Sequence, residues 1–461
     1  MTADNENSAR DLSFWHATSD PLFPAPLAED IDVDVAIVGG GYTGLWTAYY
    51  LKKLAPTLSV AIVEARFPGF GASGRNGGWC LGEIAGIATY FDDPATREPG
   101  IRLQQAIFET VDEVGRVVVE EGFDCHWAKG GVLSLATAPA HEELLRAEAA
   151  HWAALGFGEK DMRWLEPDEA AQHIRTPKGR GALFSPHCAA LHPLRLATGL
   201  ANAVEKIGVA LYGETPATGI EKGRVLTPGG CVRAPMVVWA TEAYTDSIPG
   251  RRRELLPFHS MMIATEPLSP ETWQEIGLAG RETFGDPRRT VIYGQRTADD
   301  RIAFGARGGY FLGSKIRSRF AHDERAFIEA RNSLVKLFPV LEGSTVTHSW
   351  GGALGIPRDW RPRVGIDRAG GQAWAGGYVG EGVAASNLAG RTLADLILER
   401  HSPLTELPWV GAGFEKWEPE PLRWMGVAAM NFIGERLDHA ELAGRRPSRM
   451  QHALYDWIVK K

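Results

Sequence analysis

The sequence predicts an α/β fold on two sheets, the first mostly parallel and covered by helices, the second mostly antiparallel. Three observations carry that reading. Residues 32–54, DVDVAIVGGGYTGLWTAYYLKKL, pass from an apolar strand through a glycine turn directly into a helical pattern, the order of one unit of a parallel sheet. Residues 372–399 repeat that order, QAWAGG and then YVGEGVAASNLAGRTLADLILE. Between them, FHSMMIAT (258–265), VIYGQ (291–295) and RIAFGA (301–306) have the length and composition of antiparallel strands.

In the first unit the turn reads Gly39-x-Gly41-x-x-Gly44. Gly39 takes the turn, Gly41 lets a diphosphate approach the backbone, and Gly44 lets the helix lie close to the strand. The second strand, SVAIVEA, ends at Glu64, 25 residues after Gly39. A carboxylate there suits the two hydroxyls of an adenosine ribose and repels a 2′-phosphate, which argues against NADP. GASGRNGG (71–78) follows, with four glycines in eight residues, a density too costly in chain entropy for an arbitrary loop. Further on, Ile107, Val111, Val114 and Val118 mark an amphipathic helix within 100–122, and Leu145, Ala149, Trp152 and Leu155 mark another. Residues 191–208 read as a helix, 209–215 as a strand, and 219–241 as a strand pair whose last apolar run, 236–240, is buried on both faces. DERAFIEARNSLVKLFP (323–339) is helical. At the second junction Gly376, Gly377, Gly380 and Gly382 precede a helix from about Val383 to Glu399. One dinucleotide needs one such turn, so a second points to a ligand with a further electron-rich end. A flavin ring fits, because a helix N-terminus stabilises the charge that its N1 and C2 carbonyl gain on reduction.

Composition narrows the function. The chain has 461 residues, 44% of them hydrophobic, and 49 basic against 57 acidic side chains give a formal charge of −8 with no long basic block. Nucleic acid is an unfavoured partner. There is no apolar stretch of membrane-spanning length and no signal-like segment near Met1, so a cytoplasmic protein without a membrane partner is expected. Cys80, Cys125, Cys188 and Cys231 form no CxxC pair, which disfavours a disulfide framework or a dithiol site. His187, Cys188 and His192 lack a fourth ligand at a familiar spacing, so no metal is expected.

The segments DVAIVGGGYTGLWTAYYLKK, GFGASGRNGGW, KGGVLSLAT, WATEAYT, SMMIATEPL and GGYVGEGVAASNLAGR together resemble FAD-dependent oxidoreductases of the D-amino-acid oxidase superfamily, and within it the gamma-glutamylputrescine oxidoreductase branch. The likeness covers most of 13–400, and KWEPEPLRWMG (416–426) extends it. It implies a discontinuous Rossmann-like FAD-binding domain over 31–90, 160–245 and 346–400, an α+β substrate domain over 91–159 and 246–345, and a helical tail over 401–461 that packs Trp409, Trp417, Trp424 and Trp457 on the body.

The resemblance further implies that Ser73, Gly74, Arg75, Asn76, Gly77 and Gly78 lie along the FAD diphosphate and beneath the flavin ring, with Ser73 and Arg75 on phosphate and Asn76 near the flavin edge. Ala217 meets the adenine, Ala240 and Thr241 meet the pyrophosphate, and Gly380, Glu381, Gly382 and Val383 match the flavin O2 site. Glu242 stands where the family has glycine. FAD is expected to be noncovalent, Cys80 being a small buried thiol. Candidates for lining a substrate pocket are Trp79, Tyr244, His259, Tyr310, Trp350 and Arg363. The reaction implied is oxidation of a primary or secondary amine to an imine that water hydrolyses, with oxygen as the expected acceptor. The stretch where several relatives carry a lysine over the flavin offers Arg307 here. Alternatives are a dehydrogenase acting on N-methyl or D-amino acids with another acceptor, and a nonenzymatic FAD-binding protein.

Overall fold

The computed structural model describes residues 9–248, 250–411, 413–445 and 448–460. Its first layer is built from β1 (Val35–Val38), α1 (Tyr42–Leu54), β2 (Val60–Val63), β3 (Ala210–Tyr212), β4 (Met236–Trp239), β5 (Arg363–Asp367), β6 (Gln372–Gly376) and α2 (Gly382–Ile397). The six strands lie in the order β5-β6-β4-β1-β2-β3. Every neighbouring pair is parallel except β5 with β6. All residues of β1 and β2 are buried, as unbroken apolar runs require when helices cover both faces. Close packing of α1 depends on Gly44, where a Cβ would stand 2.0 Å from the Gly39 carbonyl oxygen. Helices α1 and α2 also touch closely, since a Cβ on Gly390 would lie 2.7 Å from that of Trp46.

The second layer is an eight-stranded sheet. It runs, in spatial order, through the strands at 346–356, 256–265, 302–310, 292–296, 283–285, 132–135, 182–185 and 163–165. Only the pair 283–285 with 132–135 is parallel. The anticipated domain boundaries at 160 and 346 therefore cut across this layer. Strand Val346–Ile356 pairs with Leu256–Thr265 from Val346 opposite Thr265 to Ile356 opposite Leu256, and its long run of ladder hydrogen bonds assigns it to the antiparallel sheet. The strand at 163–165 likewise pairs with 182–185, which pairs in turn with 132–135. The region 219–233 forms three short strands that join Ile31–Asp32 in a small separate sheet.

In the tail, Trp409 and Trp417 are buried while Trp424 and Trp457 are largely exposed. The helix Leu422–Leu442 is anchored at Asp438, whose carboxylate accepts the backbone N–H groups of Arg289 (2.9 Å) and Thr290 (2.7 Å) and pairs with the Arg289 guanidinium.

Candidate functional site

A single cavity of about 820 Å³ opens where the two layers meet. One end lies at the C-terminal edge of the parallel sheet, where such folds bind ligands. Gly39, Gly41 and Glu64 line it there, with Ala217 beside them. Glu64 Oε2 accepts the N–H of Gly40 at 2.7 Å and Oε1 that of Arg66 at 2.9 Å, which fixes the carboxylate at the end of β2. Ser73, Arg75, Asn76 and Gly77 form the next part of the wall, facing Ala240 and Thr241 at the end of β4. Gly380, Glu381, Gly382 and Val383 complete it at the start of α2. The first and second glycine junctions thus open onto one space. Gly44, Gly74 and Gly78 serve packing behind the wall: Cβ atoms there would stand 2.0–2.2 Å from the carbonyls of Gly39, Gly69 and Leu191.

Two features of this wall fit a dinucleotide diphosphate. Beside Gly41 the backbone is bare toward the cavity, and the nearest group, Ser73 Oγ, accepts the N–H of Tyr42 at 2.9 Å at the first turn of α1. The Arg75 side chain is buried and has no acidic partner among the described residues. Its Nε donates to Phe70 O at 2.8 Å and Nη1 to Ser318 O at 2.8 Å, while Nη2 is buried without a partner. An unneutralised guanidinium inside the protein is costly, and a bound anion offsets that cost. Arg75→Ala is expected to raise the dissociation constant of the cofactor about ten- to a hundredfold, the worth of a charge-assisted bond. Flavin fluorescence titration of the stripped protein measures it, and unchanged affinity would show that Arg75 serves the carbonyls alone.

The Asn76 amide is engaged within its own loop. Its Oδ1 accepts the Gly78 N–H at 2.8 Å and its Nδ2 donates to Ala72 O and Ser73 O. Glu242 has a left-handed backbone, φ 44°. Its carboxylate accepts the N–H groups of Gly377 (3.2 Å) and Tyr378 (3.1 Å). The side chain therefore ties the end of β4 to the second glycine junction, a bond that glycine could not make. Burial pushes its pKa up to about 7 against the opposing pull of those N–H groups.

Of the six substrate-pocket candidates, Trp79 and Tyr244 line the cavity. The other four do not. His259 is wholly buried, accepts the Arg317 N–H at 3.1 Å, and is held neutral by burial, its pKa lowered to about 4. Tyr310 bonds Ser314 and, in the tail, Glu420. Trp350 donates to Arg75 O at 2.9 Å. Arg363 pairs with Asp359 at 2.8 Å.

The face that sequence reading missed is its neighbour in the pleat. Phe258, Ser260 and Met262, alternate residues of one strand, line the cavity with Tyr293 and Arg307. Tyr293 is the centre of this face: its hydroxyl lies 2.7 Å from Ser260 Oγ and its ring stands edge-on to Trp79 at 5.8 Å. It fits because Gly77 and Gly305 carry no side chain, a Cβ on either coming within 2.4 Å of the ring. Burial raises its pKa to about 12, so it is a neutral phenol at working pH. Glu83 and Glu381 also line the cavity, and burial pushes both carboxyls upward. The site thus holds groups able to exchange protons near neutrality.

His187, Cys188 and His192 point to three separate partners, Asp161, Thr283 and the Arg195 N–H. Cys80 is buried in the core outside the cavity wall, its thiol pKa raised by burial.

The chain is similar to known proteins over most of its length. The family model described as FAD dependent oxidoreductase (DAO) matches residues 34–396. The chain is 28% identical to the gamma-glutamylputrescine oxidoreductase of Escherichia coli, over 86% of this chain and 92% of that one. It is 29% identical to the probable oxidoreductase OrdL of Haemophilus influenzae, over 85% and 89%. Among solved structures, glycine oxidase from Geobacillus kaustophilus shares the fold with a TM-score of 0.69 at 22% identity, covering 83% of this chain and 98% of that one.

Proposed function

The chain belongs to the family of FAD-dependent oxidoreductases and takes FAD as its cofactor, and from that premise we propose that it oxidises a primary or secondary amine at the carbon–nitrogen bond. The observation that carries this reading is the cavity from Gly39 and Glu64 to Ser260 and Tyr293, which gives a dinucleotide and a small substrate one continuous space. Relatives named for an amine, gamma-glutamylputrescine, and for an amino acid, glycine, support the substrate class.

On this reading Gly41 and Arg75 would hold the diphosphate, Glu64 the adenosine ribose, Ala217 the adenine, and Gly380 to Val383 the ring end, with FAD bound noncovalently. When bound, FAD supplies the acceptor for a hydride leaving the carbon that bears the amine. The protein's part is orientation and exclusion of water. Tyr293 and Trp79 form an aromatic wall, and the Tyr293–Ser260 pair fixes that wall. Whichever of Glu83 and Glu381 is ionised would, as a carboxylate, take up the proton that an ammonium substrate must lose. The imine product hydrolyses to an aldehyde or oxo acid, and oxygen is the acceptor, leaving as hydrogen peroxide. No helix among the described residues is long and apolar enough to cross a membrane.

Anaerobic mixing of the enzyme with polyamines, gamma-glutamyl amines, N-methyl amino acids and D-amino acids tests the proposal. An amine is expected to bleach the flavin band, faster as pH rises until the bound amine has lost its proton, and air is expected to restore the band with peroxide formed. Bleaching by hydroxy acids or NADH alone would refute the amine assignment. Bleaching by an amine without recovery in air would refute oxygen as acceptor.

A further inference from the structure

The loop at 75–78 is held by donors from outside it. Trp350 Nε1 donates to Arg75 O at 2.9 Å and Trp15 Nε1 to Asn76 O at 2.9 Å. The Gln295 amide lies 2.6 Å from Gly77 O, and the Leu191 N–H donates to Gly78 O at 2.8 Å. Four consecutive carbonyls are therefore taken. Neither Trp15 nor Trp350 lines the cavity, so both indoles hold the loop from behind.

Trp15 differs from the other donors in origin. It belongs to the segment ahead of residue 34, where the family match begins. There the helix Phe14–Ala17, capped by Ser13, is sunk into the body: Trp15 is 1% exposed and Phe14 1%. The pair packs with Leu194, Met262, Ala264, Ala303 and Trp350 in one apolar cluster, with Tyr293 at its margin. Trp15 also stands edge-on to Trp350 at 6.1 Å. A short N-terminal segment is thus wedged between the loop and the sheet face that bears Tyr293. His16 is buried beside it and held neutral, its pKa lowered to about 3 chiefly by burial, so the wedge adds no charge near Arg75.

We propose that Trp15 is a positioning residue for the flavin: its indole N–H, together with that of Trp350, fixes the loop at 75–78 in the shape that receives the ring. The proposal rests on FAD as the cofactor, whose binding by the wild-type protein is established separately from any effect of Trp15. Phenylalanine at position 15 keeps a ring in the cluster and removes only the donor. A single hydrogen bond to a neutral carbonyl is worth roughly a two- to tenfold change in affinity.

The test compares Trp15→Phe with Phe14→Leu, which disturbs the same cluster and touches no loop carbonyl. Three quantities are measured for each: melting temperature of the apoprotein, FAD dissociation constant, and the fine structure of the bound flavin's visible band. Trp15→Phe is expected to weaken FAD binding within that range and to shift the band. Phe14→Leu is expected to lower the melting temperature and leave the band in place. An unchanged band and affinity in Trp15→Phe overturn the proposal, and so does an equal shift in Phe14→Leu, because packing would then account for both. Should Trp15→Phe fail to fold, hydrogen exchange of the Trp15 indole in the wild-type protein decides. Coupling between loop and ligand is reciprocal, so slower exchange on FAD binding supports the proposal and equal exchange with and without FAD overturns it.

Discussion

Gly41→Val will purify colourless and folded. Gly41 has φ −82° and ψ −177°, an extended backbone that valine adopts without strain, so the substitution leaves the turn intact. A Cβ at this position would stand 3.0 Å from Ser73 Oγ, and the two further methyl groups of valine are pushed into the space where the diphosphate must approach the backbone. FAD affinity should fall by more than roughly a hundredfold, equivalent to about 3 kcal/mol or more. Flavin absorbance of the purified protein and a fluorescence titration of the apoprotein measure the loss. Gly44→Val is the contrasting case: its Cβ would overlap the Gly39 carbonyl oxygen at 2.0 Å, and that variant should lose the fold along with the cofactor. A yellow Gly41→Val protein would show that the diphosphate does not pass this glycine.

The second large effect belongs to Glu242. Glu242→Ala leaves the N–H groups of Gly377 and Tyr378 without their acceptor, and two buried donors left unpaired cost about 2–5 kcal/mol together. Glu242→Gly should recover about 1 kcal/mol of that, since φ 44° is strained for alanine and free for glycine. Denaturant unfolding of the apoproteins checks both numbers, and an alanine variant as stable as the wild type would show the carboxylate is dispensable. The pH dependence follows from the raised pKa. The folded state holds the Glu242 proton up to about pH 7, whereas the unfolded chain releases it near its ordinary value of 4.5. Glu242 thus contributes stability that is fully present below 4.5 and is lost as pH rises through 7. Relative to the non-titrating Glu242→Gln, the wild type should lose on the order of 2–3 kcal/mol between pH 5 and pH 8.

The dinucleotide half of the fold could be read in the sequence because its information is local. Within 35–64, strand, turn, helix and strand follow one another with glycines at fixed offsets, and the structure pairs β1 with β2 directly. The substrate face was harder for a physical reason. Strand Leu256–Thr265 is buried on nearly all of both faces, so no alternation of apolar and polar residues tells which side meets the cavity. His259 lies in this strand, but the pleat puts its neighbours Phe258 and Ser260 on the wall instead. Tyr293 was passed over because its importance depends on two glycines, Gly77 and Gly305, far apart in sequence. Strand Val346–Ile356 directly precedes the last strands of the parallel sheet, and only its pairing with 256–265 reveals its place in the antiparallel one. Glu242 registered as a departure from the family's glycine. What it does could not be inferred, because its partners lie at 377 and 378.

The order in which the cavity wall leaves the ribosome has its own consequence. The first glycine turn, at 39–44, emerges early, but β1 lies between β2 and β4, and the ring end of the wall waits for the residues at 380–383. A nascent chain can close the central part of the sheet only after β4 at 236–239, and the flavin cradle only when nearly the whole family fold has been made. Cofactor loading is thus an event of the finished chain, and the apoprotein must stay in solution long enough for FAD to find it. In cells short of riboflavin, the colourless form should accumulate as a folded, protease-sensitive pool that becomes resistant on addition of FAD, because a ligand that binds only the folded state withdraws it from unfolding.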